Sequence, residues 1–181
     1  MVYRSEVAAR YARGVIDVRP AMPDEYGEAG RVTALAYREF VVPGEAEWED
    51  YLHHIADVES RAGTATVFVA VDDGRIVGSA TLELGRRIDD DDPPLRQDEA
   101  HIRMLGVDPD ARGRGVARAL MEACFATARD AGRTRMTLHT THRMTVAQAM
   151  YEGMGFVRLA DRVFPDGFVL LSYERPIGDG L

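Results

Sequence analysis

One run of the 181-residue chain combines the residue types that an anion site needs: His101-Ile102-Arg103-Met104-Leu105-Gly106-Val107-Asp108-Pro109-Asp110-Ala111-Arg112-Gly113-Arg114-Gly115-Val116-Ala117-Arg118. Its first part, from about Glu99 to Val107, reads as a strand closed by Asp108-Pro109. Its end reads as the start of a helix, with Gly113 and Gly115 in the turn between. Glycine lets backbone approach an anion closely, and the unpaired N–H groups of a helix's first turn point toward it, assisted by the helix dipole. Arg112, Arg114 and Arg118 add positive charge. The chemistry implied is phosphate or pyrophosphate binding, weighed against an ordinary strand-to-helix turn. Three nucleotide motifs fail on spacing or composition. A Rossmann fingerprint needs a third glycine where Arg118 stands. The chain has no lysine, which removes both the Walker loop and the protein-kinase loop.

The elements that must position this run follow from hydrophobic period and punctuation. Val15 to Arg19 reads as a short strand stopped by Pro20. Pro23-Asp24-Glu25 opens a helix to about Phe40. A second helix is expected from about Glu45 to Arg61, with Trp48, Leu52, Ile55 and Val58 at helical spacing. Thr66 to Val71 and Ile76 to Leu84 form a hairpin about Asp73-Gly74. The helix after the glycine turn, about Val116 to Ala131, has an apolar face of Leu120, Met121, Cys124, Phe125 and Ala128. Arg135 to Thr140 is a strand. Thr145 and Gln148 form a capping box for a helix to about Met154. Phe156 to Val163 and Phe168 to Glu174 are two last strands. The order β-α-α-β-β-β-α-β-α-β-β predicts one α/β domain with a mixed central sheet flanked by helices. The expected organisation is an extension over residues 1–13, a domain over 14–177 and a tail over 178–181.

The run resembles the GNAT family of acyl-CoA-dependent N-acetyltransferases. The family's [Gln/Arg]-x-x-Gly-x-[Gly/Ala] signature is met by Arg112-Gly113-Arg114-Gly115-Val116-Ala117, after the strand end Leu105-Gly106-Val107-Asp108-Pro109. A second family segment, Ala-x-x-x-Tyr-x-x-x-Gly-Phe, appears as Ala147 to Phe156. Val18-Arg19-Pro20 and the Asp73-Gly74 hairpin with Ile76-Val77-Gly78 are also similar to it, so the resemblance covers residues 15 to 175. It implies the GNAT fold, with acetyl-CoA as cosubstrate and no metal. By resemblance, Leu105, Gly106 and Val107 would meet the pantetheine and acetyl portion, and the amides from Gly113 to Ala117, with Arg112, Arg114 and Arg118, would hold the pyrophosphate. Direct attack by an amine in a ternary complex would follow, and N–H donors would stabilise the developing oxyanion.

Tyr151 occupies the family's position for the acid that protonates the departing thiolate. A phenol of pKa about 10 can serve a thiolate of pKa about 8–9. A protonated acceptor amine must first lose a proton, and Glu99, His101 and Glu83 are the candidate bases, with water as intermediary an equal option. Glu99, His101 and Arg103 alternate along one strand and share a face. His101 falls where some family members place a glutamate, and an imidazole near pKa ~6.5 is a competent acceptor at pH 7. Glu83 reads more simply as a solvent-facing strand residue. One departure from the family is Met144, where many members carry an asparagine.

Other candidates carry less. Cys124 is a core residue, since it lies on the apolar helix face. His139-Thr140-Thr141-His142 reads as a strand end, not a metal site. His53 and His54 belong on the surface, Asp89 to Asp92 on a solvated loop, and Trp48, Tyr51 and Phe40 in packing or along an acceptor pocket.

Composition sets the limits. Thirty acids against 22 arginines give a net charge of −8, which argues against a nucleic-acid binder. Acids concentrate before residue 100, and that asymmetry leans toward a small cationic acceptor. A protein amino group or an amino acid stays open. The single cysteine excludes an intrachain disulfide. No apolar run approaches the ~20 residues of a membrane span. A cytoplasmic N-acetyltransferase acting on a primary amine, as a possible homodimer, is the expectation. The alternative is an acyl-CoA-binding sensor or partner module that no longer catalyses.

Overall fold

The computed structural model describes residues 16–41, 46–89 and 92–178. The expected extension over residues 1–13 and the last three residues of the tail lie outside the described residues, as does the predicted strand start at Val15.

The strands are β1 (Asp17–Pro20), β2 (Thr66–Asp72), β3 (Arg75–Glu83), β4 (Glu99–Val107), β5 (Arg135–Thr140), β6 (Val157–Arg158), β7 (Arg162–Val163) and β8 (Val169–Pro176). The helices are α1 (Tyr26–Tyr37), α2 (Ala46–Ala56), α3 (Val58–Ala62), α4 (Val116–Asp130) and α5 (Thr145–Gly153). One sheet runs β1-β2-β3-β4-β5-β8-β6, with β7 also on β8. Every pairing is antiparallel except β4 with β5, the two strands joined through α4. A parallel pair needs such a crossover, and the helix that supplies it packs beneath both strands.

Alternation along each strand divides the sheet into an apolar and a polar face. On one side Ala80, Leu82, Ala100, Ile102, Met136 and Leu138 pack with Leu120, Met121, Cys124, Phe125 and Ala128 of α4. The helix face read from spacing is thus the buried one, and burial raises the Cys124 thiol to about 12, which leaves it inert at neutral pH. On the other side, Val67, Val69 and Ile76 pack with Ala29 and Val32 of α1 and Val58 of α3. The intervening residues of the central strands on that side are polar: Thr81 and Glu83 on β3, Glu99, His101 and Arg103 on β4, Thr137 and His139 on β5.

Three expectations need correction. The helix predicted over 45–61 is two helices, because Asp57 leaves helical geometry and caps α3, accepting from the Ser60 N–H at 3.1 Å. The Thr145–Gln148 capping box does not form. Met144 is the N-cap, and the Gln148 amide donates instead to the carbonyls of Thr141 (2.9 Å) and His142 (3.3 Å). The strand predicted over 156–163 is two short pieces. Residues 159–161 leave the ladder between them, spanned by an Arg158–Asp161 ion pair at 2.5 Å.

Two glycines of α1 give opposite predictions. A Cβ on Gly30 would lie 1.9 Å from the Ala56 carbonyl oxygen, so α1 crosses the end of α2 with no room for a side chain. Gly27 has nothing within 4 Å. Gly30→Ala is expected to destabilise by about 1–3 kcal/mol or more. Gly27→Ala is expected to stabilise by up to about 1 kcal/mol. Chemical denaturation of both variants checks the difference in sign.

Candidate active site

The anion cradle begins where β4 departs from regular pairing. Thr81 faces Arg103 and Ser79 faces Gly106, so β4 carries one extra residue, and Met104 takes it up at φ +52. The β4–β5 ladder ends at Ile102 and Leu138, although β4 continues to Val107 and β5 to Thr140. The end of β4, including Leu105, Gly106 and Val107, is therefore not paired with β5. Gly106 has a packing reason of its own. A Cβ there would stand 3.1 Å from both the Ala36 Cβ and the Thr33 Cα, so α1 rests directly on the strand.

Beyond β4, Asp108 caps a single turn over Pro109–Ala111, and the chain then passes through Gly113 (φ +73) and Gly115 (φ +84). A Cβ at either glycine would meet nothing within 4 Å, so the left-handed backbone and not crowding requires glycine. Gly115 is the N-cap of α4 and brings no side-chain cap, and the first turn holds no acid. The N–H groups of Val116, Ala117 and Arg118 thus have no capping side chain, at the positive end of a 15-residue helix. The arginines divide. Arg112 is paired with Glu39 at 2.6 Å and Arg114 with Asp72 at 2.7 Å. Arg118 has no ion-pair partner among the described residues.

On the polar face, the Thr137 hydroxyl lies 2.7 Å from His101 Nδ1 and donates to Glu99 Oε1 at 2.6 Å. A hydroxyl has one proton, so His101 must donate from Nδ1, which leaves Nε2 with its lone pair free. The sequence shows Glu99 and His101 but not Thr137. Only the parallel register, with His101 opposite Thr137, supplies the link between them. His101 is buried, with its ring 4.9 Å from that of His139. Burial first, then Arg87, His139 and Arg103, holds its pKa well below the usual imidazole value. Burial first, then Arg87, Arg162 and Arg103 against the opposing charge of Asp92, brings His139 to about 4.

Glu83 is not solvent-facing: it is fully buried. Burial raises its pKa, while the Ile88 N–H (2.7 Å) and Arg87 (2.9 Å) favour its charge. Nor are the ends of the aspartate loop solvated. Asp92 receives Arg87 (3.1 Å), Arg103 (2.8 Å) and Arg162, and Asp89 receives Arg103. These pairs fasten residues 85–89 and 92 over the polar face. An open depression of about 330 Å³ lies along Gly85, Arg87, Asp89, Asp92 and Pro94. His53 is exposed, and exposed His54 stands 3.6 Å from Asp89. Phe40, Tyr37, Tyr51 and Trp48 form a chain of edge-on rings from α1 to α2.

Tyr151 comes from the opposite face. Its ring packs 5.9 Å from Phe156 and 6.1 Å from Tyr173, and among the described residues its hydroxyl makes no hydrogen bond. Burial, with Tyr173 beside it, raises the phenol above its ordinary value. Tyr151 is nonetheless an electrostatic neighbour of Tyr37 on α1.

These features are a strand whose end leaves its neighbour's ladder, an uncapped helix start behind left-handed glycines, and a phenol on the α4 side of the sheet. A family model described as the acetyltransferase (GNAT) family matches residues 30–156. The chain belongs to this family. Human N-acetyltransferase 8B is 34% identical over 74 residues, 41% of this chain and 33% of that protein. The mycothiol acetyltransferase of Geodermatophilus obscurus is 30% identical over 118 residues, 65% of this chain and 37% of its own length. The chain spans about a third of the length of these curated relatives. A GNAT acetyltransferase of Staphylococcus aureus superposes with a TM-score of 0.67 at 16% identity, over 91% of this chain and 100% of its own. A Salmonella typhimurium structure holding its cofactor acetyl-CoA gives 0.62 at 16% identity, over 91% of this chain and 95% of its own. At such identities the superpositions show the GNAT fold, a mixed sheet flanked by helices.

The residues present fit the family's cosubstrate. An uncapped α4 N-terminus without first-turn acids, together with Arg118, suits a pyrophosphate, and the unpaired end of β4 offers backbone groups to an amide-bearing chain. Among the described residues no group of three or more His, Cys, Asp or Glu is placed to hold a metal, and no helix is long and apolar enough to cross a membrane.

Proposed function

We propose that this GNAT domain transfers an acetyl group from acetyl-CoA to a primary amine by direct attack in a ternary complex. What supports the reading is Tyr151, packed on the α4 side of the sheet yet an electrostatic neighbour of Tyr37 on α1, together with the unpaired end of β4 and the uncapped start of α4. Acetyl-CoA supplies the activated acyl carbon and a thiolate leaving group. The N–H groups at the start of α4 and the side chain of Arg118 hold the pyrophosphate. Backbone groups at the end of β4 orient the thioester.

His101 is the base. Its Nε2 takes the proton from the acceptor's ammonium, and the positive charge is shared along Nδ1–H, the Thr137 hydroxyl and the Glu99 carboxylate. Half-exposed Glu99 connects that chain to solvent. Tyr151, kept protonated by burial, donates to the departing thiolate. The reading places the domain in the cytoplasm and allows a homodimer, with no nucleic-acid or membrane partner.

Isothermal titration with acetyl-CoA and CoA, followed by thiol release across a panel of amines, tests this function. Micromolar binding with release on one amine class is the expected result. Binding without release on any amine would favour a sensor module. No binding would overturn the cosubstrate assignment.

A further inference from the structure

The arginines of the polar face are matched with acids, with one exception. Arg87 meets Glu83 and Asp92, Arg103 meets Asp89 and Asp92, and Arg162 meets Asp92. Arg103 also lies 3.6 Å from Glu83, and half-buried Glu99, bonded to Thr137, is a fourth carboxylate of this face. Arg61, on α3, is the fourth arginine, only 2% exposed, and no carboxylate forms an ion pair with it among the described residues. Its Nη1 donates to the Asp57 carbonyl at 2.7 Å and its Nε to the Thr81 hydroxyl at 3.2 Å. Its Nη2 is buried without a partner among the described residues. A desolvated guanidinium with an idle N–H group is costly, and proteins retain such a charge where something else satisfies it.

The position of Arg61 indicates what that is. Thr81, which holds its Nε, stands opposite Arg103 in the β3–β4 register. Arg103 lies two residues along β4 from His101. Arg61 is an electrostatic neighbour of the Asp57 carboxylate first, then of Arg103, Tyr51 and Tyr37, and Tyr37 is in turn a neighbour of Tyr151. The orphaned guanidinium therefore belongs to the space bounded by the proposed base and acid. Tyr51, 37% exposed, stands at its outer side. With Glu83, Asp89 and Asp92 engaged by arginines, the guanidinium of Arg61 is the group here left to pair with an anion, whereas the composition alone had favoured a cationic acceptor.

We propose that the acceptor carries a carboxylate beside its amine, as an α-amino acid does, and that Arg61 binds this carboxylate through Nη2. A carboxylate would complete the hydrogen bonding of Arg61 with a charge-assisted bond and pair its charge. It would fix the adjacent amine relative to His101. The inference rests on the amine-acetyltransferase reading and names its substrate class.

The test is calorimetric titration of the chain, saturated with CoA, with glycine, L-leucine, L-phenylalanine and L-glutamate and with the carboxamide of each. Transfer from acetyl-CoA is measured on the same compounds. At least one acid is expected to bind 30-fold or more tighter than its amide. Arg61→Gln should abolish that preference while leaving CoA affinity unchanged, and Arg61→Lys, which keeps the charge and loses the fork, should retain only part of it. Equal binding of acid and amide, no binding by any of the acids, or a preference that survives Arg61→Gln would overturn the proposal. Transfer only to amines lacking a carboxylate would overturn it and leave the acetyltransferase reading standing. Tight binding of an acid without transfer would do the reverse. If Arg61→Gln does not fold, the acid–amide comparison in the unaltered chain and the Arg61→Lys variant decide.

Discussion

Tyr151→Phe is expected to lower kcat by about 10²–10⁴-fold, the range for removing a positioned general acid or base. It should leave the affinity for CoA within about twofold, because the cradle at Gly113–Arg118 does not involve α5. The structure makes this substitution unusually clean. The Tyr151 hydroxyl makes no hydrogen bond among the described residues, and the ring is held by Phe156 and Tyr173, which Phe retains. Removing a hydroxyl that makes no hydrogen bond within the protein forfeits little stability. The melting temperature should therefore hold while turnover collapses. Steady-state kinetics, CoA titration and a thermal melt on one preparation check all three. A kcat within threefold of the unaltered chain would remove Tyr151 from the mechanism. A matching loss of CoA affinity would make it a residue that shapes the cosubstrate site.

What the sequence made legible was mostly local. The α4 face from Leu120 to Ala128 repeats at helical spacing, and the Asp73-Gly74 turn can adopt little else: both residues have positive φ, 48 and 75. Gly113 and Gly115 are equally local, because each is fixed by its own backbone angle. The missed features depend on distant partners. Asp57 reads as one polar residue of a continuous helix until its carboxylate is seen to cap the next one. Glu83 alternates as a solvent-facing residue would, and only the chain folding back over it buries it. Thr137 has no motif at all. It matters because parallel pairing of β4 with β5 places it between His101 and Glu99. Arg112 and Arg114 show what charge read along the chain leaves out. Both sit in the cradle, and both are already held, by Glu39 and Asp72.

The Glu99–Thr137–His101 chain supports a second expected result. His101→Gln should lower kcat/KM by about 10²-fold or more at pH 7, and the deficit should shrink as pH rises. The sign follows from two titrations. Because the folded environment lowers the His101 pKa, its neutral, proton-accepting form is present above that low value and is lost only as pH falls through it, well below 6.5. The acidic limb of the unaltered chain between pH 6.5 and 8 therefore belongs to the acceptor's amine and should move when the acceptor's amine pKa is changed. At high pH the amine arrives already deprotonated, the base has less to do, and variant and unaltered chain converge. Thr137→Val tests the positioning role. It strips Glu99 of its donor and leaves Nδ1–H without an acceptor, so the tautomer with a free Nε2 is no longer enforced. A kcat loss of about tenfold is expected, with KM for the acceptor little changed. Thr137→Ser should restore most of the activity, because it returns the hydroxyl. Failure of Ser to rescue would show that Thr137 acts through packing. A His101→Gln deficit that stays constant from pH 7 to 9 would show that His101 does not accept the acceptor's proton.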